Sequence, residues 1–484
     1  MSDPNGLVYY RGLYHLFYQH NPEANVPGKM SWGHASSSDL VRWTEHPLAI
    51  PHDDREEVYS GSVVVDQANS SGFGVGKDPP LVAIYTSAFP DGRQAQSLAF
   101  SVDAGMTWTK YGGNPVLDRD STSFRDPKVF WYQITGSYGY WVMVAVEARA
   151  RQIVVYRSDD LKYWTYLSTF GPLDSNEGLW ECPDLFPLSV GGDWGRTAWV
   201  LVVSIDPGRS TNGTFMGYLV GQFDGVEFTA ESIEEFIRLD WGSDLYAAIT
   251  FANVPNHRRI LVGWMSNWNY ADKVPTSPWR GAMSLPRELS LTASGGSLRL
   301  AQQAPLELRA LDQLADRVSL KVFDLEGVRR FHGGRHYRVD VTFEPVDAQE
   351  VGLELLVGDG QVTRLSYEVQ SGQMSLDRTR SGETEFDASF KSIERAPVQL
   401  RDGALKLQVF VDSASVEVFA QEGLVCMTDQ VFAANESTGF AVHSLGGLSR
   451  VSTFEWTPMS EARHTRGISF LPDQQPEHDS VDVG

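Results

Sequence analysis

The chain has 484 residues, 42% of them apolar and 12% aromatic with fourteen tryptophans, and a formal net charge of −22. That length exceeds one ordinary core and predicts two domains of unequal size, while the apolar content excludes a disordered chain. The negative charge argues against nucleic-acid partners and anionic membranes, which such a surface repels; a neutral substrate fits it, and so does simple solubility.

Only Cys182 and Cys426 are present, so no disulfide framework holds the fold. No basic start followed by an apolar run precedes Ser2, and no run of about 18 apolar residues occurs, so the chain as written reads as cytoplasmic and without an export signal. Asn69, Asn212 and Asn435 stand in Asn-x-Ser/Thr triplets, which would matter only in a secreted eukaryotic protein.

In chain order, Ser2-Asp3-Pro4-Asn5-Gly6 comes first. Pro4 keeps Asp3 out of the helical region and Asn5-Gly6 favours a tight turn, so Asp3 is expected to project from a strand end; alone, the motif reads as structure. Residues 12–19, 62–66, 81–85 and 198–203 are short turn-bounded runs rich in β-branched and aromatic residues and predict strands. Ser38-Asp39 before Trp43, Ser101 and Asp103 before Trp108, and Ser158-Asp159-Asp160 before Trp164 form a repeat. The spacing suits four-stranded blades, and residues up to about 290 then hold roughly five of them. The plainer reading is hairpin punctuation, with each Asp accepting bonds from its own turn.

Phe124-Arg125-Asp126-Pro127 sets a cation beside a carboxylate, and the arginine is expected to keep Asp126 ionised and oriented; in isolation it reads as a salt bridge. Trp180-Glu181-Cys182-Pro183-Asp184 places a glutamate between an aromatic and a thiol, surroundings that disfavour its charge, with Asp184 adding like-charge pressure; a surface turn is the alternative. Residues 230–237 allow one short helical turn at most. The segment 293–317 reads as a linker that includes a short helix or extended stretch, and alternation at 336–343, 405–411 and 414–419 predicts a β-sandwich over 318–462. Residues 463–484 read as a mobile acidic tail.

Taken together and in this order, the three carboxylate motifs resemble those of glycoside hydrolase family 32, the invertase, inulinase and levanase group. Further stretches carry the likeness: Tyr14 to Pro22, Ser31 to Ala35, Tyr59 to Ser62, Asp244 to Ala247, Gly263-Trp264-Met265, Pro278-Trp279-Arg280 and Ser415 to Phe419. The chain looks most similar to microbial exo-inulinases and β-fructofuranosidases. The resemblance implies an all-β fold, a five-bladed β-propeller over 1–292 followed by the C-terminal β-sandwich. It implies a retaining hydrolase that releases fructose from sucrose or from inulin- or levan-type fructans through a covalent fructosyl-enzyme, with no cofactor and no metal. Asp3 is then the nucleophile, Glu181 the acid/base and Asp126 the transition-state stabiliser. Ser2, Gln19, Ser60, Arg125 and Trp268 line the fructose pocket, and Trp32 and His34 support it from behind.

Two departures stand out. Relatives carry Trp-Met-Asn where this chain has Met1-Ser2, with a shorter side chain at the Asn position, and a strand that helps close the propeller is expected to be missing ahead of it. Val26-Pro27-Gly28 stands where exo-acting relatives have a Trp, and Pro27 offers no stacking face. A fructosyltransferase making fructo-oligosaccharides therefore remains an alternative, as does a catalytically weak fructoside-binding protein or an N-terminally truncated relative. In the last case the protein would be extracellular. The sequence sets no oligomeric state.

Overall fold

The computed structural model describes residues 1–136, 138–173, 178–208, 213–462 and 465–466; the tail expected over 463–484, apart from Thr465–Arg466, and Asn212 lie outside them. The regular structure of the described chain is almost all strand, joined by turns and loops and by a few short 3-10 turns. None of its helices is long and apolar enough to cross a membrane.

The first 303 residues form a five-bladed β-propeller. Its innermost strands, Ser2–Tyr10, Glu57–Val65, Phe124–Thr135, Leu179–Val190 and Tyr246–Thr250, each contact the next, and the last returns to the first, which closes the ring. Each strand starts an antiparallel meander that runs outward. The first blade is built from Ser2–Tyr10, Leu13–His20, Ser31–Ser37 and Thr44–Ile50, so the strand expected to be missing leaves no blade short among the described residues. Backbone bonds from Tyr9 N to Ala252 O and from Ala252 N to Leu7 O sew the first blade to the fifth.

The Ser-Asp…Trp repeat is a single turn used in three blades between the third and fourth strands. Asp39 Oδ1 accepts Val41 N and Arg42 N, Asp103 Oδ1 accepts Thr107 N, and Asp160 Oδ1 accepts Lys162 N and Tyr163 N. Each tryptophan folds back to donate its indole N–H to the turn, Trp43 to Leu40 O, Trp108 to Gly105 O and Trp164 to Leu161 O. The fourth blade keeps the Asp, with Asp224 Oδ1 accepting Val226 N and Glu227 N, but has Phe228 in place of the tryptophan. Punctuation and blade repeat are thus the same feature.

The expected details differ in two places. Asn5-Gly6 makes no turn but lies within the first strand: Asn5 stands opposite Phe17 in the ladder, and Gly6, at φ 52°, packs where a Cβ would stand 2.7 Å from Val63 and 2.8 Å from Phe17. The fifth blade runs through the hairpin Arg287–Ser294 and Ser297–Gln303, past residue 292, the expected end of the propeller. Residues 230–237 stay within the expected limit of one helical turn and hold none, with Glu231 N bonded to Val220 O of the fourth blade.

Thr465–Arg466 returns to pair with Thr44–Ile50 of the first blade, and the strands from Val318 to Pro458 form the β-sandwich. Its spine is the long strand Gly439–Pro458, which pairs with Glu350–Val357 and Phe323–Phe331 over its first half and with Tyr337–Pro345 over its second. Buried arginines join the two units: Arg287 on the propeller bonds Asp240 at 2.8 Å and the sandwich residue Glu417 at 2.9 Å. Arg378 on the sandwich bonds Asp244 at 2.5 Å and Tyr270 at 2.9 Å. Cys182 and Cys426 are both free and buried.

Candidate active site

The ends of the innermost strands share a local design. Near its start, each strand's ladder to the second strand slips: at Ser2/Pro4, Tyr59/Gly61, Arg125/Lys128, Glu181/Asp184 and Tyr246/Ile249. A bulge of this kind re-aims a side chain that would otherwise alternate into a blade. The sequence writes it as a buried apolar anchor, a polar residue and a residue at positive φ: Phe124-Arg125-Asp126, Trp180-Glu181-Cys182 and Leu245-Tyr246-Ala247, with φ of 60° at Asp126, 45° at Cys182 and 50° at Ala247. The anchors fix the strand while the slip delivers the next two groups to the mouth of the central channel.

There the structure brings Asp3, Ser60, Arg125, Asp126 and Glu181 into one network. Ser60 Oγ donates to Asp3 Oδ2 at 2.9 Å, and Asp3 Oδ1 is buried without a protein partner. Glu181 Oε1 accepts Arg125 Nη2 at 2.8 Å and Nε at 3.2 Å, while Oε2 accepts the Tyr246 hydroxyl at 2.6 Å. Asp126 Oδ2 accepts Cys182 N at 3.0 Å, and Asp126 N donates to Thr86 Oγ1. Burial, then the charge on Glu181, pushes Asp3 up to about 6 against the Ser60 bond. Burial pushes Asp126 up to about 7, with Glu181 adding to it and Arg125 opposing. Burial also works against the Arg125 charge, but Glu181 and Asp126 outweigh it and push the guanidinium further up.

Three local expectations are overturned here. Arg125 does not hold Asp126 ionised at acidic pH: it turns to Glu181 and lies 3.7 Å from Asp126, where burial dominates. Trp180 and Cys182 do not flank the Glu181 carboxylate: Trp180 packs into the core against Phe236, and the bulge at Glu181/Asp184 turns Cys182 the other way, beneath Asp126. Asp184 puts no uncompensated charge beside Glu181, because Oδ2 accepts Lys128 Nζ at 3.0 Å, Thr250 N at 2.7 Å and Thr250 Oγ1 at 2.8 Å.

Beside Asp3 a cleft opens, lined among others by Ser2, Gln19, Pro27, Trp264 and Trp268. Ser2 and Gln19 are register partners on adjacent strands, and Gln19 Nε2 donates to Val58 O at 3.1 Å. Trp268 meets Trp264 with ring centroids 4.7 Å apart, which makes one aromatic wall. Behind the cleft, Trp32 donates its indole N–H to Tyr59 O, and His34 stacks on Phe17 at 4.4 Å. Among the described residues no group of three or more His, Cys, Asp or Glu could hold a metal ion. Sequence reasoning passed over Tyr246 as a site residue, although Leu245-Tyr246-Ala247 repeats the anchor pattern of the other two strands. Thr86 and Lys128 carry no such signal.

A trio of carboxyls, Asp126 buried and Asp3 and Glu181 partly so, with one arginine and an adjoining aromatic cleft, defines a glycosidase. The chain belongs to glycosyl hydrolases family 32: the model of that family's N-terminal domain matches residues 1–303 and the model of its C-terminal domain matches residues 302–458. A levanase of Bacillus subtilis is 41% identical over 471 residues, covering 95% of this chain and 69% of that protein. An extracellular exo-inulinase of Aspergillus ficuum is 36% identical over 489 residues, covering 93% of this chain and 90% of its own. The crystal structure of an exo-inulinase from Aspergillus awamori superposes with a TM-score of 0.89 at 34% identity, covering 96% of each chain.

Proposed function

We propose that the protein releases fructose from β-fructosides, sucrose or inulin- or levan-type fructans, with retention at the anomeric carbon. Glu181 acts as the acid/base, Asp3 as the nucleophile and Asp126 as the stabiliser of the oxocarbenium-like transition state. Glu181 protonates the leaving oxygen as Asp3 attacks the anomeric carbon, which breaks the glycosidic bond and forms a fructosyl ester on Asp3. Charge developing on the ring is met by Asp126. Glu181, now ionised, takes a proton from water, whose oxygen displaces Asp3 and frees fructose.

The observation that carries this reading is the convergence of three carboxyls, each from a different innermost strand, on Ser60, Arg125 and Tyr246. The form with Glu181 protonated and both aspartates ionised is the one the first step requires. Arg125 and Tyr246 hold the Glu181 carboxylate for the second step, when its charge returns. Ser60 orients Asp3, and Ser2, Gln19, Arg125 and Trp268 supply the polar edge and aromatic wall for the sugar.

Incubation with sucrose, inulin and levan followed by chromatography of the products tests this. Free fructose is expected from at least one of them, and Asp3→Asn and Glu181→Gln should each cut the rate on the order of 10³-fold or more. A hydrolysis rate untouched by either substitution would remove that residue from its role.

A further inference from the structure

The segment 240–246 is tied to the sandwich along its length, and at its end it carries the hydroxyl that holds Glu181. Asp240 Oδ1 accepts Thr428 N at 2.9 Å, and Trp241 N donates to Cys426 O. At Gly242 a Cβ would stand 2.2 Å from Thr428 O, so backbone lies on backbone. Ser243 Oγ donates to Glu394 Oε1 at 2.7 Å, and Ser243 N to Asp429 Oδ1. Asp244 N donates to Thr428 O, and its Oδ2 accepts Gln430 N at 2.8 Å and Arg378 Nη1 at 2.5 Å. Its Oδ1 accepts the Tyr270 hydroxyl at 2.6 Å. Two residues on, Tyr246 donates to Glu181 Oε2.

We infer that the sandwich positions the acid/base of the propeller: Arg378, through Asp244, fixes the strand start that carries Tyr246, and the Tyr246 hydroxyl sets the orientation and charge of Glu181. Arg378 and Asp244 are both 0% exposed, so neither touches substrate, and both are positioning residues. Two features make the relay stiff. The Arg378 guanidinium is pinned on a second side by Tyr270 Oη and packs over the Phe390 ring at 4.1 Å. The bulge at Tyr246/Ile249 begins only two residues past Asp244, so a shift of that carboxylate is absorbed where Tyr246 is aimed. A unit with its own core thus contributes to a site it does not line. This inference rests on the acid/base reading of Glu181.

The groups that face Glu181 are Arg125 and Asp126 from the third blade, Tyr246 from the fifth and Asp3 from the first, with Cys182 next to it on its own strand. Those around Asp244 are Arg378, Asp429 and Tyr270. The test is a double-mutant cycle on the full chain with Asp244→Asn and Tyr246→Phe, read as kcat and as the pH profile of kcat/KM. Tyr246→Phe removes a donor to the carboxylate, so the alkaline limb moves to higher pH. Asp244→Asn should move the same limb the same way and lower kcat about tenfold, and the double variant should fall no further than Tyr246→Phe alone. Asp312→Asn, which loosens Arg338 elsewhere in the sandwich, should lower Tm without moving the limb.

An Asp244→Asn enzyme with the parent's pH profile, or losses that multiply in the double variant, overturns the relay. If Asp244→Asn does not fold, Arg378→Lys takes its place in the same cycle, with the same expected and overturning results. Glu181→Gln separates the two readings. If it abolishes turnover while Asp244→Asn leaves the profile alone, only the relay is lost; if Glu181→Gln turns over normally, the acid/base assignment itself fails.

Discussion

Arg125 and Glu181 clasp across the gap between the third and fourth blades, and the residues that follow them return the clasp: Arg125 donates twice to Glu181 Oε1, and Cys182 N donates to Asp126 Oδ2. Lys128 and Asp184, a little further along the same strands, make a third bond of the same spacing. The pairing of these two innermost strands, which share no ladder, is therefore done by charged and polar side chains. Arg125→Lys keeps the charge but replaces a planar fork with a single point of contact. We expect kcat/KM to fall ~10- to 100-fold while Tm stays close to the parent's, measured by steady-state kinetics and calorimetry.

Asp3 at about 6 must be ionised to attack, so the acid limb of kcat/KM is expected near pH 6. Ser60 Oγ donates to the carboxylate and so favours its charged form. Removing it in Ser60→Ala should move the acid limb to higher pH and leave the alkaline limb in place. A pH–rate series on the two proteins reads this directly.

Asp126 makes the trio a stability cost with a definite sign. Burial raises its folded-state value to about 7, above the ordinary range of about 4 for an unfolded aspartate. Between those values the folded state binds the extra proton, so stability is greatest below the lower value and is lost as pH rises through the upper one. Asp126→Asn removes the ionisation. Its Tm should be near the parent's at pH 4 and exceed it increasingly towards pH 8, while hydrolysis collapses at every pH.

Lys128 bridges three innermost strands, with its ammonium on Asp184 at 3.0 Å and on Thr250 O at 2.6 Å, and both ionic side chains are buried. Lys128→Met leaves a buried carboxylate with only the Thr250 donors, a change that typically costs about 3–5 kcal/mol. Adding Asp184→Asn removes the stranded charge and should recover much of the loss. Denaturant unfolding of the single and double variants measures both.

The three carboxylates were legible because each sits in a short motif beside proline or a large aromatic, and the blade repeat because Trp43, Trp108 and Trp164 mark the same turn. What surrounds the carboxylates was not. Glu181's sequence neighbours Trp180 and Cys182 point to opposite sides of the strand, and the groups that touch it, Arg125 and Tyr246, come from other blades. Those contacts exist only once the ring of innermost strands closes, so no local pattern encodes them. Asp126 was misjudged for the same reason: its adjacent arginine was visible, but its burial was not. The fourth blade escaped the tryptophan count because Phe228 fills that place.

The stitching of residues 240–246 bears on whether the propeller can stand without the sandwich. Asp240 and Asp244 are buried against partners contributed from beyond residue 370, and Arg287 reaches Glu417. A chain ending after Gln303 would keep every blade strand yet strand these charges at a bare face. Asp244 would lose Arg378 and Arg287 would lose Glu417, so the propeller alone is expected to be less stable than the pair despite their separate cores.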